Sequence, residues 1–140
     1  MQGALSTFFL MADSPPKIRI LIVEDQPHMH DMMLLFLERV GYEVTGAYTA
    51  RAALEATSQA SFEVALVDLT LPDQHGADLI KQLLALEEPP ICFVLTGSDE
   101  AEARRCSEES GACGWLTKPF SLKELSTCVQ KALAQGGESE

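Results

Sequence analysis

With 140 residues, 46% of them apolar, the chain has the length of one domain and enough apolar side chains for a real core. Its 21 acidic against 10 basic side chains leave a net charge of −11, which argues against direct binding to nucleic acid or to an anionic membrane surface. No run approaches the roughly 20 apolar residues of a membrane-spanning helix.

Residues 1–16 read as an extension ahead of the domain. GALSTFFLMA within it is apolar but short, with no basic residue before it and no clear cleavage site, so it does not read as a signal peptide. It is either an arm that packs on the domain or on a neighbour, or sequence upstream of a start at Met11. ADSPP, residues 12–16, cannot continue a helix or a central strand. Lys17 to Val23, KIRILIV, is the first strand, with Glu24 and Asp25 at its end. Pro27 suits the first turn of the helix that follows. Met29, Met32, Met33, Phe36 and Val40 mark its apolar face at spacings of three and four, and Gly41 ends it. Leu34, Leu35 and Leu37 widen that band, as a broad core contact or as an exposed docking patch.

Glu43 to Ala47 is a weaker strand whose internal Gly46 suits a sheet edge. Thr49 caps a second helix, ARAALEATSQA. VALVD, residues 64–68, is a continuously apolar strand that stops on an acid, and Leu71-Pro72 and Gly76 follow as turn signals. ADLIKQLLALEE is a third helix with Leu79, Leu83 and Leu86 on one side, ended by Pro89 and Pro90. Ile91 to Leu95 is a fourth strand, again continuously apolar, closing on Thr96-Gly97-Ser98. SDEAEARRCSEES is a polar helix with little apolar stripe, so it is expected to be the least firmly held. Gly114 to Thr117 is a short last strand, followed by Lys118-Pro119. Ser121 and Glu124 form a capping box that opens a final helix with Leu122, Leu125, Val129 and Leu133 inward. Gly136 and Gly137 are expected to stop it, leaving residues 136–140 as a tail and 17–135 as the domain.

Strands alternating with helices imply an α/β domain: a parallel sheet covered by helices on both faces. The first, third and fourth strands are the most apolar and should be central. The second and fifth should be edges. That gives the order 2-1-3-4-5, the flavodoxin-like (βα)5 arrangement. The cysteines, Cys92, Cys106, Cys113 and Cys128, form no C-x-x-C pair and read as small buried residues in a reducing, cytoplasmic setting. His28, His30 and His75 read as solvated side chains, not metal ligands.

In such a sheet every strand ends on the same edge, where ligands bind. Glu24 and Asp25, Asp68, Thr96 and Lys118 therefore converge there, although they are far apart in sequence. An ionised carboxylate is costly inside a buried strand, which places Asp68 at the strand's mouth. Two like charges about 4 Å apart repel by roughly 4 kcal/mol at an effective dielectric near 20. Clustered acids therefore need a cation among them or shifted pKa values. All-oxygen donors suit Mg²⁺ and do not resemble a zinc site. A bound Mg²⁺ beside Lys118 would attract a phosphoryl group, and a carboxylate could then act as nucleophile.

On Glu24-Asp25, on Asp68 within DLTLPDQHG, on Thr96-Gly97 and on Lys118-Pro119-Phe120, the chain resembles the receiver domains of two-component response regulators over nearly all of residues 17–135. The resemblance implies a signalling switch, not an enzyme acting on other substrates. Asp68 would be the phosphoacceptor, taking its phosphoryl group from a sensor histidine kinase or a histidine phosphotransfer protein. Asp25, Asp68 and the backbone carbonyl of Thr70 would ligate Mg²⁺, with Glu24 acting through water. Lys118 would pair with the phosphoryl group, aimed by a cis Lys118-Pro119 peptide. Thr96 would be drawn toward the acyl phosphate, and the aromatic at Trp115, where Tyr or Phe is usual, would swing into the space behind it. Trp is larger and lacks a hydroxyl, so the other reading of Trp115 is an edge aromatic that never switches. Small Gly97 would leave the phosphoryl group open to attack, and Thr70 and Ser98 stand where the family tunes hydrolysis. The surface that changes would be the fourth helix, fifth strand and fifth helix. A downstream protein target or an output domain outside these residues would read it, and two copies could pair through the same face.

Three other readings compete. An aspartate-nucleophile phosphatase places its nucleophile after the first strand, usually with a second Asp two residues on; here the candidate follows the third strand and Thr70 stands two residues on. An FMN carrier needs a Ser/Thr/Gly-rich loop after the first strand, which is missing. A receiver-like interaction module that is never phosphorylated would not need the acids and Lys118. After Lys131 too few residues remain for a DNA-binding domain, so the expectation is a stand-alone receiver or a piece of a longer regulator or hybrid kinase.

Overall fold

A computed structural model describes residues 17–138. The readings of residues 1–16 lie outside the described residues. Five strands alternate with five helices. The strands are β1 Arg19–Val23, β2 Glu43–Ala47, β3 Val64–Asp68, β4 Ile91–Thr96 and β5 Gly114–Thr117. The helices are α1 Pro27–Val40, α2 Ala50–Thr57, α3 Gly76–Leu84, α4 Glu100–Ser110 and α5 Leu122–Glu138. All strand pairs are parallel and the sheet order is β2-β1-β3-β4-β5, as the apolarity of the strands predicts.

Alternate residues of each central strand feed two cores. Ile20, Ile22, Val64, Leu66, Phe93 and Leu95 face α1 and α5, where Met33, Leu37, Leu125 and Val129 cover them. Leu21, Val23, Ala65, Val67, Cys92 and Val94 point the other way, against Ala53 of α2, Leu79 and Leu83 of α3 and Cys106 of α4. Each fully buried Leu or Ile contributes about 1.5–3 kcal/mol by leaving water. A strand buried on both faces must be apolar at every position, which is why β3 and β4 show no alternation in sequence.

The helix ends follow local chemistry. Thr49 Oγ1 accepts from Ala52 N at 3.0 Å and Asp99 Oδ1 from Glu102 N at 2.8 Å, capping α2 and α4. The capping box at α5 forms in both directions: Glu124 N donates to Ser121 Oγ (3.0 Å) and Ser121 N to Glu124 Oε1 (2.8 Å).

The structure corrects several details. The buried stripe of α1 is His30, Met33 and Leu37, while Met32, Leu35 and Val40 are exposed. Most of this helix is apolar, so hydropathy alone does not decide which side turns inward. The leucine band divides: Leu37 is core, Leu34 is partly buried against it, and Leu35 faces solvent. Leu122, the first residue of α5, is exposed; Cys128 and Ala132 fill that helix's inner face with Leu125 and Val129. The helix does not stop at Gly136 and Gly137 but continues to Glu138. In the other direction, α3 ends at Leu84, four residues short of Glu88. All four cysteines are free thiols, Cys113 half-buried and the others buried. Desolvation pushes the Cys92 thiol up to about 12 and that of Cys113 up to about 11, away from the reactive thiolate.

Candidate functional site

The sheet register explains the convergence. Val23 pairs with Val67, so Glu24 lies level with Asp68; Thr96 pairs with Thr117, so Lys118 lies one step beyond Thr96. Carboxylate oxygens of Glu24, Asp25 and Asp68 come within 4.8 Å of one another. Lys118 Nζ donates to Glu24 Oε1 at 2.8 Å and to Asp68 Oδ2 at 2.7 Å. Glu24 is fully buried, Asp68 nearly so, and the Lys118 side chain is 18% exposed. The Lys118-Pro119 peptide is cis.

The electrostatics follow from this geometry. Burial raises the Glu24 pKa above the ordinary carboxylate value; the hydrogen bond from Lys118 works against that rise, and the nearby Asp68 charge adds to it. Burial disfavours the Lys118 ammonium, yet its hydrogen bonds and attraction to Asp68 and Glu24 prevail and raise its pKa. A single ammonium thus holds two buried carboxylates, and Asp25 stands half-buried beside them.

The loop after β3 aims Asp68. Thr70 N donates to Asp68 Oδ1 at 2.9 Å, so each oxygen of the Asp68 carboxylate has a donor. Gly76 N returns to Leu69 O at 2.8 Å, closing the loop on itself. A Cβ on Gly76 would sit 2.1 Å from Asp68 O, so only glycine lets α3 approach the end of β3 this closely. Two further loop residues escaped the sequence reading. Asp73 accepts from Ala50 N and Arg51 N, both at 2.9 Å, and so ties this loop to the start of α2. Those backbone donors hold its carboxyl below the usual aspartate value. His75 caps α3, its Nδ1 accepting from Ala77 N at 3.2 Å. The tie from Asp73 to α2, more than twenty residues away in the chain, has no local sequence signature. For Asp73 and His75 the DLTLPDQHG stretch shows only turn signals.

Thr96 is buried at the end of β4, and its Oγ1 accepts from Ser98 N at 3.0 Å. Trp115 is half-buried on β5, with the Arg104 guanidinium 5.6 Å from its ring centroid. A Cβ on Gly97 would meet nothing within 4 Å. Of the histidines, His28 and His75 are exposed as expected, whereas His30 is buried, contrary to the solvated reading. Its Nδ1 lies 3.0 Å from the Glu24 carbonyl oxygen, a partner that hydropathy does not reveal. Among the described residues, no helix is long and apolar enough to cross a membrane.

Residues 20–130 match the family described as the response regulator receiver domain. The sensory transduction protein RegX3 of Mycobacterium tuberculosis is 34% identical over 121 residues, 86% of this chain and 53% of RegX3. YkoG of Bacillus subtilis, an uncharacterized transcriptional regulatory protein, is 31% identical, with the same 86% and 53% coverage. The chain thus spans about half the length of the curated relatives it matches. Among solved structures, a CheY-like receiver domain protein from Methanospirillum hungatei superposes with a TM-score of 0.82 at 30% identity, over 89% of this chain and 100% of that one. Chemotaxis protein CheY4 of Vibrio cholerae follows at 0.79 and 28%, over 84% and 99%. With the family matched across both cores and every strand end of the site, this chain belongs to the response regulator receiver domains of two-component signal transduction.

Proposed function

We propose that this receiver is switched by phosphorylation of Asp68, with the phosphoryl group supplied by a sensor histidine kinase or a histidine phosphotransfer protein. The observation that carries the reading is Asp68 itself: a nearly buried carboxylate at a strand mouth, held by the Thr70 N–H and by Lys118, with two more acids within 4.8 Å. The donor set fits Mg²⁺, since it is all hard oxygen with no thiol or imidazole. Glu24, Asp25, Asp68 and the Thr70 carbonyl would hold the ion, which when bound draws charge from the phosphoryl oxygens.

The chain's own residues do the rest. An Asp68 oxygen attacks phosphorus as the bond to the donor's histidine nitrogen breaks, leaving an acyl phosphate and a free imidazole. Lys118, now 2.7 Å from Asp68 Oδ2, is close enough to turn toward the new phosphoryl oxygens. The Thr96 hydroxyl accepts from Ser98 N and keeps its own proton for donation to the phosphoryl group. Moving it gives up that contact and opens space toward which Trp115 can turn, at the loss of its cation–π contact with Arg104. The α4-β5-α5 face then changes, and a downstream protein or output domain reads it; two copies can also pair there. Gly97 leaves the site open to water, so the acyl phosphate is expected to be self-limiting.

We take residues 17–138, to the end of α5, as the receiver unit and 1–16 as an extension. Free, buried thiols suit a cytoplasmic setting. The test is labelling by acetyl phosphate. The wild-type chain should be labelled with Mg²⁺ and not with EDTA, and Asp68→Asn should abolish the signal. Persistent labelling of that variant would remove Asp68 from the role.

A further inference from the structure

His30 occupies an inward position of α1, in line with Met33 and Leu37, where an apolar side chain would serve the core without a polar group to satisfy. It is only 4% exposed, so a buried ring nitrogen needs a partner. Nδ1 lies 3.0 Å from the Glu24 carbonyl oxygen. A carbonyl only accepts, so Nδ1 must carry the proton. The other face of this arrangement is a clamp built from the edge strand. Tyr48, immediately after β2, stacks on the imidazole at 3.9 Å between centroids and 8° between planes. Tyr48 is 45% exposed, so its ring lies between the imidazole and solvent. Gly46 gives the ring its room, because a Cβ there would come within 2.3 Å of Nε2.

What the ring holds matters for the site. The Glu24 N–H donates to Ala47 O at 3.0 Å, and no other backbone N–H among the described residues reaches the Glu24 carbonyl. His30 therefore completes the peptide on its carbonyl side. Glu24 presents its carboxylate to Lys118 and, through Oε2, accepts from Gln26 N at 3.2 Å. With both ends of the Glu24 backbone fixed, the carboxylate enters the acidic cluster from one direction.

We propose that His30 is a positioning residue for the acidic cluster: its Nδ1–H fixes the Glu24 backbone, and Gly46 and Tyr48 hold the imidazole in place to do so. The inference rests on the proposed role of Glu24 at a Mg²⁺ site. Two substitutions separate the hydrogen bond from the packing. His30→Phe keeps a flat ring under Tyr48 and loses the donor; His30→Asn loses the stack and keeps an N–H near the place of Nδ1.

Mg²⁺ affinity is read by calorimetry, folding by the urea midpoint in EDTA, and the ring by ¹⁵N NMR of the wild-type chain. The expected result is a protonated Nδ1 and about tenfold weaker Mg²⁺ binding in His30→Phe, the range for residues that orient ligands without touching the metal. His30→Asn should recover most of that loss even if its urea midpoint falls further, since the rescue follows the donor and not the packing. Gly46→Ala should weaken Mg²⁺ binding by displacing the ring. A bare Nδ1, or wild-type affinity in His30→Phe, would overturn the assignment while leaving the Mg²⁺ site intact. A wild-type chain that binds no Mg²⁺ would overturn both.

Discussion

Replacing Lys118 with Met removes the ammonium and keeps an unbranched side chain of similar reach. In the wild-type protein Nζ is bonded to Glu24 at 2.8 Å and to Asp68 at 2.7 Å. Without it, the fully buried Glu24 carboxylate keeps only the Gln26 N–H at 3.2 Å, with Asp68 and Asp25 nearby. Removing one partner of a buried ion pair costs about 3–5 kcal/mol; with Lys118 still 18% exposed, the lower end applies, about 3 kcal/mol. That is a large fraction of the roughly 5–15 kcal/mol by which a domain is stable. The same change makes the site more negative and should tighten Mg²⁺ binding. By linkage, a tenfold tighter site adds about 1.4 kcal/mol of stabilisation at saturating ion. The assay is urea unfolding followed by the fluorescence of Trp115, the chain's one tryptophan, in EDTA and in excess Mg²⁺. Lys118→Met should unfold at clearly lower urea in EDTA and should gain more from Mg²⁺ than the wild type does. An unchanged midpoint in EDTA would refute the view that one ammonium makes two buried carboxylates tolerable.

Gly76→Ala places a Cβ 2.1 Å from the Asp68 carbonyl oxygen, so α3 or the end of β3 must shift. We expect a loss of about 1–3 kcal/mol in urea unfolding, with weaker Mg²⁺ binding because Asp68 moves with its backbone. Asp73 holds two N–H groups at the start of α2 and its pKa is lowered, chiefly by those bonds. A lowered folded pKa means that its contribution is complete above the ordinary aspartate value of 3.8 and is lost as pH falls through the folded value. Thermal melts of Asp73→Ala should therefore lie below wild type at neutral pH, and the gap should close as acid protonates Asp73. A gap that does not vary with pH would contradict the capping role.

The sheet order and the meeting of Glu24, Asp25, Asp68, Thr96 and Lys118 were legible because both rest on strand ends. A continuously apolar run that stops on a charged or polar residue marks its own C-terminus, and parallel pairing brings those termini together. Helix faces were harder to read. In α1 apolar residues surround most of the axis, and the inward position of His30 depends on Gly46 and Tyr48 from a different strand. Leu122 reads as core because it is in line with Leu125 and Val129, yet as the first residue of α5 it is exposed. The Asp73 tie to α2 joins residues more than twenty positions apart, which no local pattern signals. The extent of α5 was missed because two glycines weaken a helix without forbidding it.

The central claim is that Glu24, Asp25 and Asp68 form a site that takes a phosphoryl group and passes the change through Thr96 to the α4-β5-α5 face. Beryllofluoride, which mimics a phosphoryl group on a carboxylate, tests it most directly when followed by NMR at Thr96 and Trp115. The account predicts saturable shifts at both residues that require Mg²⁺ and vanish in Asp68→Asn. Shifts that persist in that variant, or a site that leaves Thr96 unmoved, would contradict it.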